Sequence, residues 1–231
     1  MKSNSVIEFE NRLISEWLPD FCNAPHRQFS MEGYDNKNIS KLSEHDAFWF
    51  MRAIDLNIVS QSDGFFIAPL SKAKEQIFWT GHQSSGLMPI TLWLEPVITI
   101  GGLAKLHCIY EWPIDKLGAQ SKTWAFDLVG YGDDPEQEIL ACEVKKSEKE
   151  IDDLLMLMNK YSNSPPLEEI PAKGKERNAY KKIIGIRRTW PSIFWALGPN
   201  NYEKSFAIER INEHEFKFNE AHNDILKYKD A

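Results

Sequence analysis

Apolar residues follow two rhythms along this chain, and the change between them divides it. Near the start, Val6, Ile7, Leu13, Ile14 and Leu18 fall on one helical stripe and predict a helix over Val6 to Leu18. Ser43, a good N-cap residue, is followed three positions later by Asp46 and then by the aromatic-rich run Phe48 to Leu56, which predicts a capped helix. Ser62-Asp63-Gly64 reads as a turn into a strand over Phe65 to Ala68, with another strand over Gln76 to Thr80. Gly81 to Pro89 holds glycine, serine and proline in loop-like density. It predicts a boundary between an N-terminal elaboration, residues 1–85, and a core, residues 86–231.

Beyond that boundary the pattern sharpens. Pro96 suits the first turn of a helix running toward Tyr110, in which Gly101 and Gly102 each lower the intrinsic helix propensity by up to about 1 kcal/mol and so imply close packing. Thr123 to Val129 and Ile139 to Lys145 predict two strands, joined by the turn formers Gly130 to Pro135 into an antiparallel hairpin. Ile151, Leu154, Leu155, Leu157 and Met158 recur at helical spacing through Tyr161, and Pro165-Pro166 ends that helix. A basic helix over Arg177 to Thr189, strands over Ser192 to Leu197 and Ser205 to Ile211, and a terminal helix over Glu213 to Tyr228 complete the series. The predicted class is α/β, or α+β with a mixed sheet.

Composition narrows the functional classes. With 42% hydrophobic and 26% charged residues in 231 positions, a packed core is available and no disordered bias is present. Cys22, Cys108 and Cys142 make an odd number without paired spacing, which argues against a disulfide framework and points to a reducing compartment. Glu8 and Glu10 fall where a signal peptide needs apolar residues, so a cytoplasmic location is expected. Glu95, Lys105 and His107 interrupt the most apolar stretch, Leu87 to Tyr110, short of the roughly 20 residues a membrane span needs. A formal net charge of −7 argues against nonspecific coating of nucleic acid. Locally, however, Lys173, Lys175, Arg177, Lys181, Lys182, Arg187 and Arg188 face the single acid Glu176, a stripe able to grip a polyanion. The six histidines show no zinc spacing, and the eight tryptophans are mostly core by default, with one or two able to stack on bases where exposed.

The chemistry concentrates in the hairpin. In Ile139 to Lys145 side chains alternate faces, so Ala141, Glu143 and Lys145 share one face while Cys142 and Val144 share the other. Asp127 interrupts the apolar run of Trp124, Phe126, Leu128 and Val129, a costly position unless the carboxylate is paired or bound to a cation. Hairpin pairing brings residue 127 near residues 141–143, where two carboxylates can share a divalent ion with substrate phosphate and water.

Asp127, fifteen intervening residues, then Glu143-Val144-Lys145, on two strands followed by a helix, resembles the signature of the PD-(D/E)xK, or restriction-endonuclease-like, superfamily. Phe126 stands where the signature's proline would, and Tyr161 is preceded at four residues by Leu157 instead of glutamine. The resemblance covers roughly residues 90–211. It implies a core of helix, three-stranded meander, helix and strand, and a nuclease using Mg²⁺ or Mn²⁺. Asp127, Glu143 and the carbonyl of Val144 would hold the ion, with Glu95 of the first core helix as a further ligand, and Lys145 would complete the catalytic set. Lys181, Lys182, Arg187 and Arg188 would contact nucleic acid, DNA more readily than RNA, and family habit adds the expectation of a homodimer. The competing expectation is a noncatalytic nucleic-acid-binding or scaffold protein on the same fold.

Overall fold

The computed structural model describes residues 3–82, 86–171 and 173–229. Ser3 caps α1 (Asn4–Arg12), which passes through a π-helical turn at Leu13–Trp17 into α2 (Leu18–Asn23). The helix expected over Val6 to Leu18 is therefore longer at both ends. Pro19 has no N–H for the carbonyl four residues back, and the wider turn, in which Leu18 N–H reaches the Leu13 carbonyl, carries the chain past it. Two short strands, β1 (Tyr34–Asp35) and later β6 (Ile90–Leu92), flank the rest of this region. Between them lies α3 (Glu44–Asp55), capped as expected by Ser43 Oγ accepting from Asp46 N–H at 3.0 Å. The hairpin of β2 (Ser60–Ser62) and β3 (Phe65–Ile67) turns on Asp63 and Gly64, whose φ values of 53° and 71° suit the turn. The strand expected over Gln76 to Thr80 is divided: β4 (Glu75–Gln76) joins β2 and β3, while β5 (Phe78–Thr80) joins β6 and β1.

The second half builds one large sheet. After α4 (Leu94–Cys108) come β7 (Leu117–Ala119), β8 (Leu128–Tyr131) and β9 (Glu138–Val144) as an antiparallel meander. Helices α5 (Glu148–Ser162) and α6 (Gly174–Thr189) then cross over to β10 (Ile193–Leu197), which pairs parallel with β9. β11 (Glu203–Arg210) and β12 (Phe216–Ala221) finish a six-stranded sheet of order β12-β11-β10-β9-β8-β7. The protein is thus a mixed α+β fold.

Two sequence expectations fail here. The terminal helix over Glu213 to Tyr228 is instead β12 and a short 3₁₀ turn at Asn223–Leu226. Phe218 meets Phe194 and Phe206 in tilted and edge ring contacts and Phe216 meets Phe218 and Trp190, a period-two pattern that outweighed the scattered helix formers. The strand expected from Thr123 begins only at Leu128, because Ser121 Oγ accepts from the N–H groups of both Ala125 and Phe126 and folds residues 121–126 into a tight loop.

The sheet is covered on both faces. Leu128, Leu140, Cys142, Val144, Trp195 and Leu197 pack toward α4 and the N-terminal helices in one continuous core. Val129, Ala141, Phe194 and Ala196 pack toward α5 and α6 in another. Gly101 lets α4 approach Trp49 and Phe50 of α3, and Gly102 lets it approach Leu197 and Leu128, which is the close packing the paired glycines implied. Residues 83–85, where the sequence pattern sets the boundary, lie outside the described residues; on either side of them a shared core joins α1–α3 to α4 and the sheet.

Candidate active site

Strand alternation and register assemble the site. Leu128 pairs with Cys142, and extending that register by one residue sets Asp127 opposite Glu143. Asp127 N–H donates to the Cys142 carbonyl at 3.0 Å, and Val144 N–H donates to Asp127 Oδ2 at 2.8 Å, so the aspartate is fixed at the mouth of the hairpin. Glu143 lies on the α5/α6 face with Ala141 and is 2% exposed. Lys145 Nζ donates to Glu143 Oε1 at 2.6 Å and to the Val144 carbonyl at 2.8 Å. Asp127, Glu143, Val144 and Lys145 are therefore neighbours.

A second lysine completes the cluster. Lys182 of α6 brings Nζ to 2.5 Å from Glu143 Oε2 and also donates to the Ala125 carbonyl. Glu143 Oε2 is buried, and this ion pair is what offsets its charge. Of the four basic residues expected to contact nucleic acid, Lys182 thus faces the carboxylates. Arg187 faces the other way and donates to the carbonyls of Tyr161, Ser164 and His214. Lys181 and Arg188 are exposed and lie on an outer stripe of α6. The stripe of α6 that meets the site, Lys175, Asn178 and Lys182, has helical spacing, and that spacing was the sequence signal that distinguishes Lys182 from its neighbours. Lys145, Glu150, Asp153, Lys175 and Asn178 line a groove of about 230 Å³ beside the cluster.

Electrostatics follow from this arrangement. Burial, reinforced by the Glu143 charge, pushes the Asp127 carboxyl up to about 7 against the opposing pull of Lys182, Lys145 and the Val144 N–H. For Lys145, burial alone would lower the pKa, but Glu143, Asp127 and the more distant Glu95 raise it above the ordinary lysine value. Glu95 occupies the first turn of α4, close enough for its charge to act on Lys145. Among the described residues, no group of three or more His, Cys, Asp or Glu side chains is gathered closely enough to hold a metal ion. The donor set at the hairpin is two carboxylates and a carbonyl.

Two features escaped the sequence reading. Lys105, inside the otherwise apolar α4, is buried and paired with Glu203 at 2.9 Å, with Asn201 Oδ1 accepting at 2.7 Å. Trp124, 67% exposed and held at φ 58°, stands three residues before Asp127, a backbone conformation unusual for a bulky residue. His107 Nδ1 lies 2.8 Å from the Trp112 carbonyl, a structural contact outside the cluster. Among the described residues, no helix is long and apolar enough to cross a membrane.

Compared with known proteins, the chain matches no family model, no curated protein and no solved structure.

Proposed function

We propose that the chain is a metal-dependent nuclease that hydrolyses phosphodiester bonds, in DNA more readily than in RNA, on a restriction-endonuclease-like core. The observation that carries this reading is Asp127 and Glu143 opposed across β8 and β9, with Lys145 bonded to both Glu143 and the intervening Val144 carbonyl. Support comes also from topology. The order α4, β7-β8-β9, α5, β10, with β9 and β10 parallel, agrees with the helix, meander, helix and strand that the resemblance implies, α6 being an addition to the crossover.

The residues fit a divalent ion on two grounds. Glu143 Oε2 is buried with the Lys182 ammonium as its charged partner, and burial together with the Glu143 charge pushes the Asp127 carboxyl up to about 7, so two carboxylates compete for positive charge at one point. Mg²⁺ takes one or two protein carboxylates and fills its remaining positions with water and phosphate oxygens. Asp127, Glu143 and the Val144 carbonyl would hold it, and Glu95, whose charge reaches Lys145, adds to the negative field there. When bound, such an ion polarises the scissile phosphate and acidifies a water. Lys145, anchored by Glu143, would stabilise charge developing on the phosphate, and Lys182 offsets the charge of Glu143.

A second reading draws on Lys182: its ammonium already neutralises Glu143, as it would in a noncatalytic nucleic-acid-binding protein. Cleavage assays on plasmid, linear duplex, single-stranded DNA and RNA with Mg²⁺, Mn²⁺ or chelator separate the two. The nuclease reading expects metal-dependent cutting that Asp127→Ala and Glu143→Gln abolish. No cutting on any substrate, together with no Mn²⁺ binding by calorimetry, selects the noncatalytic protein.

A further inference from the structure

We infer that the groove between β5, β6 and the start of α5 binds an unpaired stretch of nucleic acid and feeds it to the Glu143–Lys145 site. The choice of a polynucleotide as occupant rests on the nuclease reading above. The groove measures about 650 Å³, the scale of a built ligand site, and its floor and rim include Trp79, Trp93, Lys41, Lys146, Ser147 and Glu150. Trp79 is 58% exposed and Trp93 38%, whereas Trp17, Trp112 and Trp195 are fully buried.

The two indoles are held and presented together. Trp79 sits on β5 opposite Thr91 of β6, and Trp93 directly follows β6. Their rings meet edge to face, with centroids 5.7 Å apart at 80°. That contact fixes both rings before any ligand arrives, so stacking a base on the open faces orders little further. A paired base is already stacked on its duplex neighbours and offers an edge, whereas an unpaired base offers the face that an indole needs.

Charge and position choose the same occupant. Lys41 and Lys146 line the groove, against Glu150, whose nearest approach to Lys146 is a loose 3.9 Å between exposed groups. Lys41 is oriented by Asn38 Oδ1 at 3.2 Å, and Asn38 is itself anchored to the Leu92 carbonyl. Two ammonium groups beside two indoles match the alternation of phosphate and base along a single strand. Lys146 adjoins Lys145 in the chain, and Trp93 adjoins the helix whose first turn carries Glu95. Glu150 lines both this groove and the groove that Lys145 lines, so the two share a wall at the start of α5.

The test is fluorescence anisotropy on the full chain in chelator, with fluorescein-labelled oligo(dT) and oligo(U) of about 15 nucleotides and a duplex of equal length, lengths drawn from usual single-strand site sizes. Single strands should bind more tightly than duplex. Trp79→Ala and Trp93→Ala should each weaken single-strand binding roughly tenfold, and Trp79→Phe with Trp93→Phe should restore most of it. Both side chains are exposed, and unchanged circular dichroism would show that the variants are folded. Equal binding by the parent and the doubly alanine-substituted chain, or a preference for duplex, overturns the inference, as does failure to bind any of the three probes. If the tryptophans bind single strands but Mn²⁺ never produces cutting, the groove stands and the nuclease reading falls. If Asp127-dependent cutting occurs and the alanine pair binds and cuts single strands undiminished, the groove falls and the nuclease reading stands.

Discussion

Asp127 is the residue at which folding and chemistry conflict most plainly. Its carboxyl is pushed up to about 7 by burial and by Glu143, whereas an unfolded aspartate titrates near about 4. Between those values the folded state holds a proton that the unfolded state has released, so in chelator stability falls as pH rises through that window. Below it both states are protonated and the difference vanishes. Asp127→Asn keeps an oxygen for the Val144 N–H but removes the titration. In chelator at pH 8 the variant should be more stable than the parent by at least roughly 1 kcal/mol, with the gap closing by pH 4. Urea melts at the two pH values check this, and an unchanged gap would show that Asp127 is not the strained group. Mn²⁺ should reverse the order, because it stabilises the parent by mass action and the asparagine variant far less. Asp127, Glu143 and Lys145 were legible in the sequence because period-two alternation is local. The Lys182–Glu143 pair was not, since it depends on how α6 lies across the sheet.

Elements carry the next level of control, and α6 shows why propensity alone misleads. A Cβ on Gly185 would stand 2.5 Å from Ala125 Cβ, an atom fixed to the backbone of the loop that leads into Asp127. Helix propensity predicts that Gly185→Ala stabilises by up to about 1 kcal/mol. Packing predicts the opposite sign, a loss of roughly 1–3 kcal/mol, with the loop pushed away from Lys182. Thermal unfolding decides the sign, and calorimetry should show weakened Mn²⁺ binding in the same variant. The Lys105–Glu203 pair ties α4 to β11 with side chains only 5% and 9% exposed, and Trp195 Nε1 donates to the same carboxylate at 3.1 Å. Lys105→Met strands the Glu203 charge and should cost about 3–5 kcal/mol, while adding Glu203→Met should recover a large part. If the double variant is no more stable than the single one in denaturant melts, the lysine contributes through packing alone. Helices with clear caps or stops, α3 and α5, were readable in advance, as were β9 and β10. β12 was misread because Phe218 finds its ring partners on β10 and β11 and Phe216 finds Trp190, and β8 was shortened by a hydroxyl of Ser121 that no periodicity reveals.

Across the whole molecule the governing fact is a formal net charge of −7, which repels a polyanion except where lysines gather. The basic run from Lys173 to Arg188 looks, as a sequence, like the phosphate track. In three dimensions its charges disperse: Lys182 faces Glu143, Lys175 pairs with Asp153 at 2.7 Å, Arg187 holds three carbonyls, and Lys181 and Arg188 lie on the outer stripe of α6. Lys145 is likewise balanced by Glu143. Lys41 and Lys146 instead stand together in the tryptophan groove, where phosphates of a strand stacked on the indoles would meet them. Two phosphate contacts on a single strand give a slope of about −1.4 in the logarithm of affinity against the logarithm of salt, shallow beside that of a dedicated DNA-coating protein. Binding should therefore rest mainly on stacking and survive moderate salt. Lys41→Glu combined with Lys146→Glu should weaken single-strand binding and bring the slope toward zero, because the counterions are no longer released. Lys181→Glu combined with Arg188→Glu changes the net charge by the same amount and should leave the slope nearly intact, since a charge more than a Debye length from the strand is largely screened at physiological salt. A salt titration of the two double variants side by side discriminates local contact from global field. Equal slopes in the two would mean that the molecule attracts its substrate through net charge alone, and a larger fall in the α6 pair would move the phosphate path from the groove to the outer face of that helix.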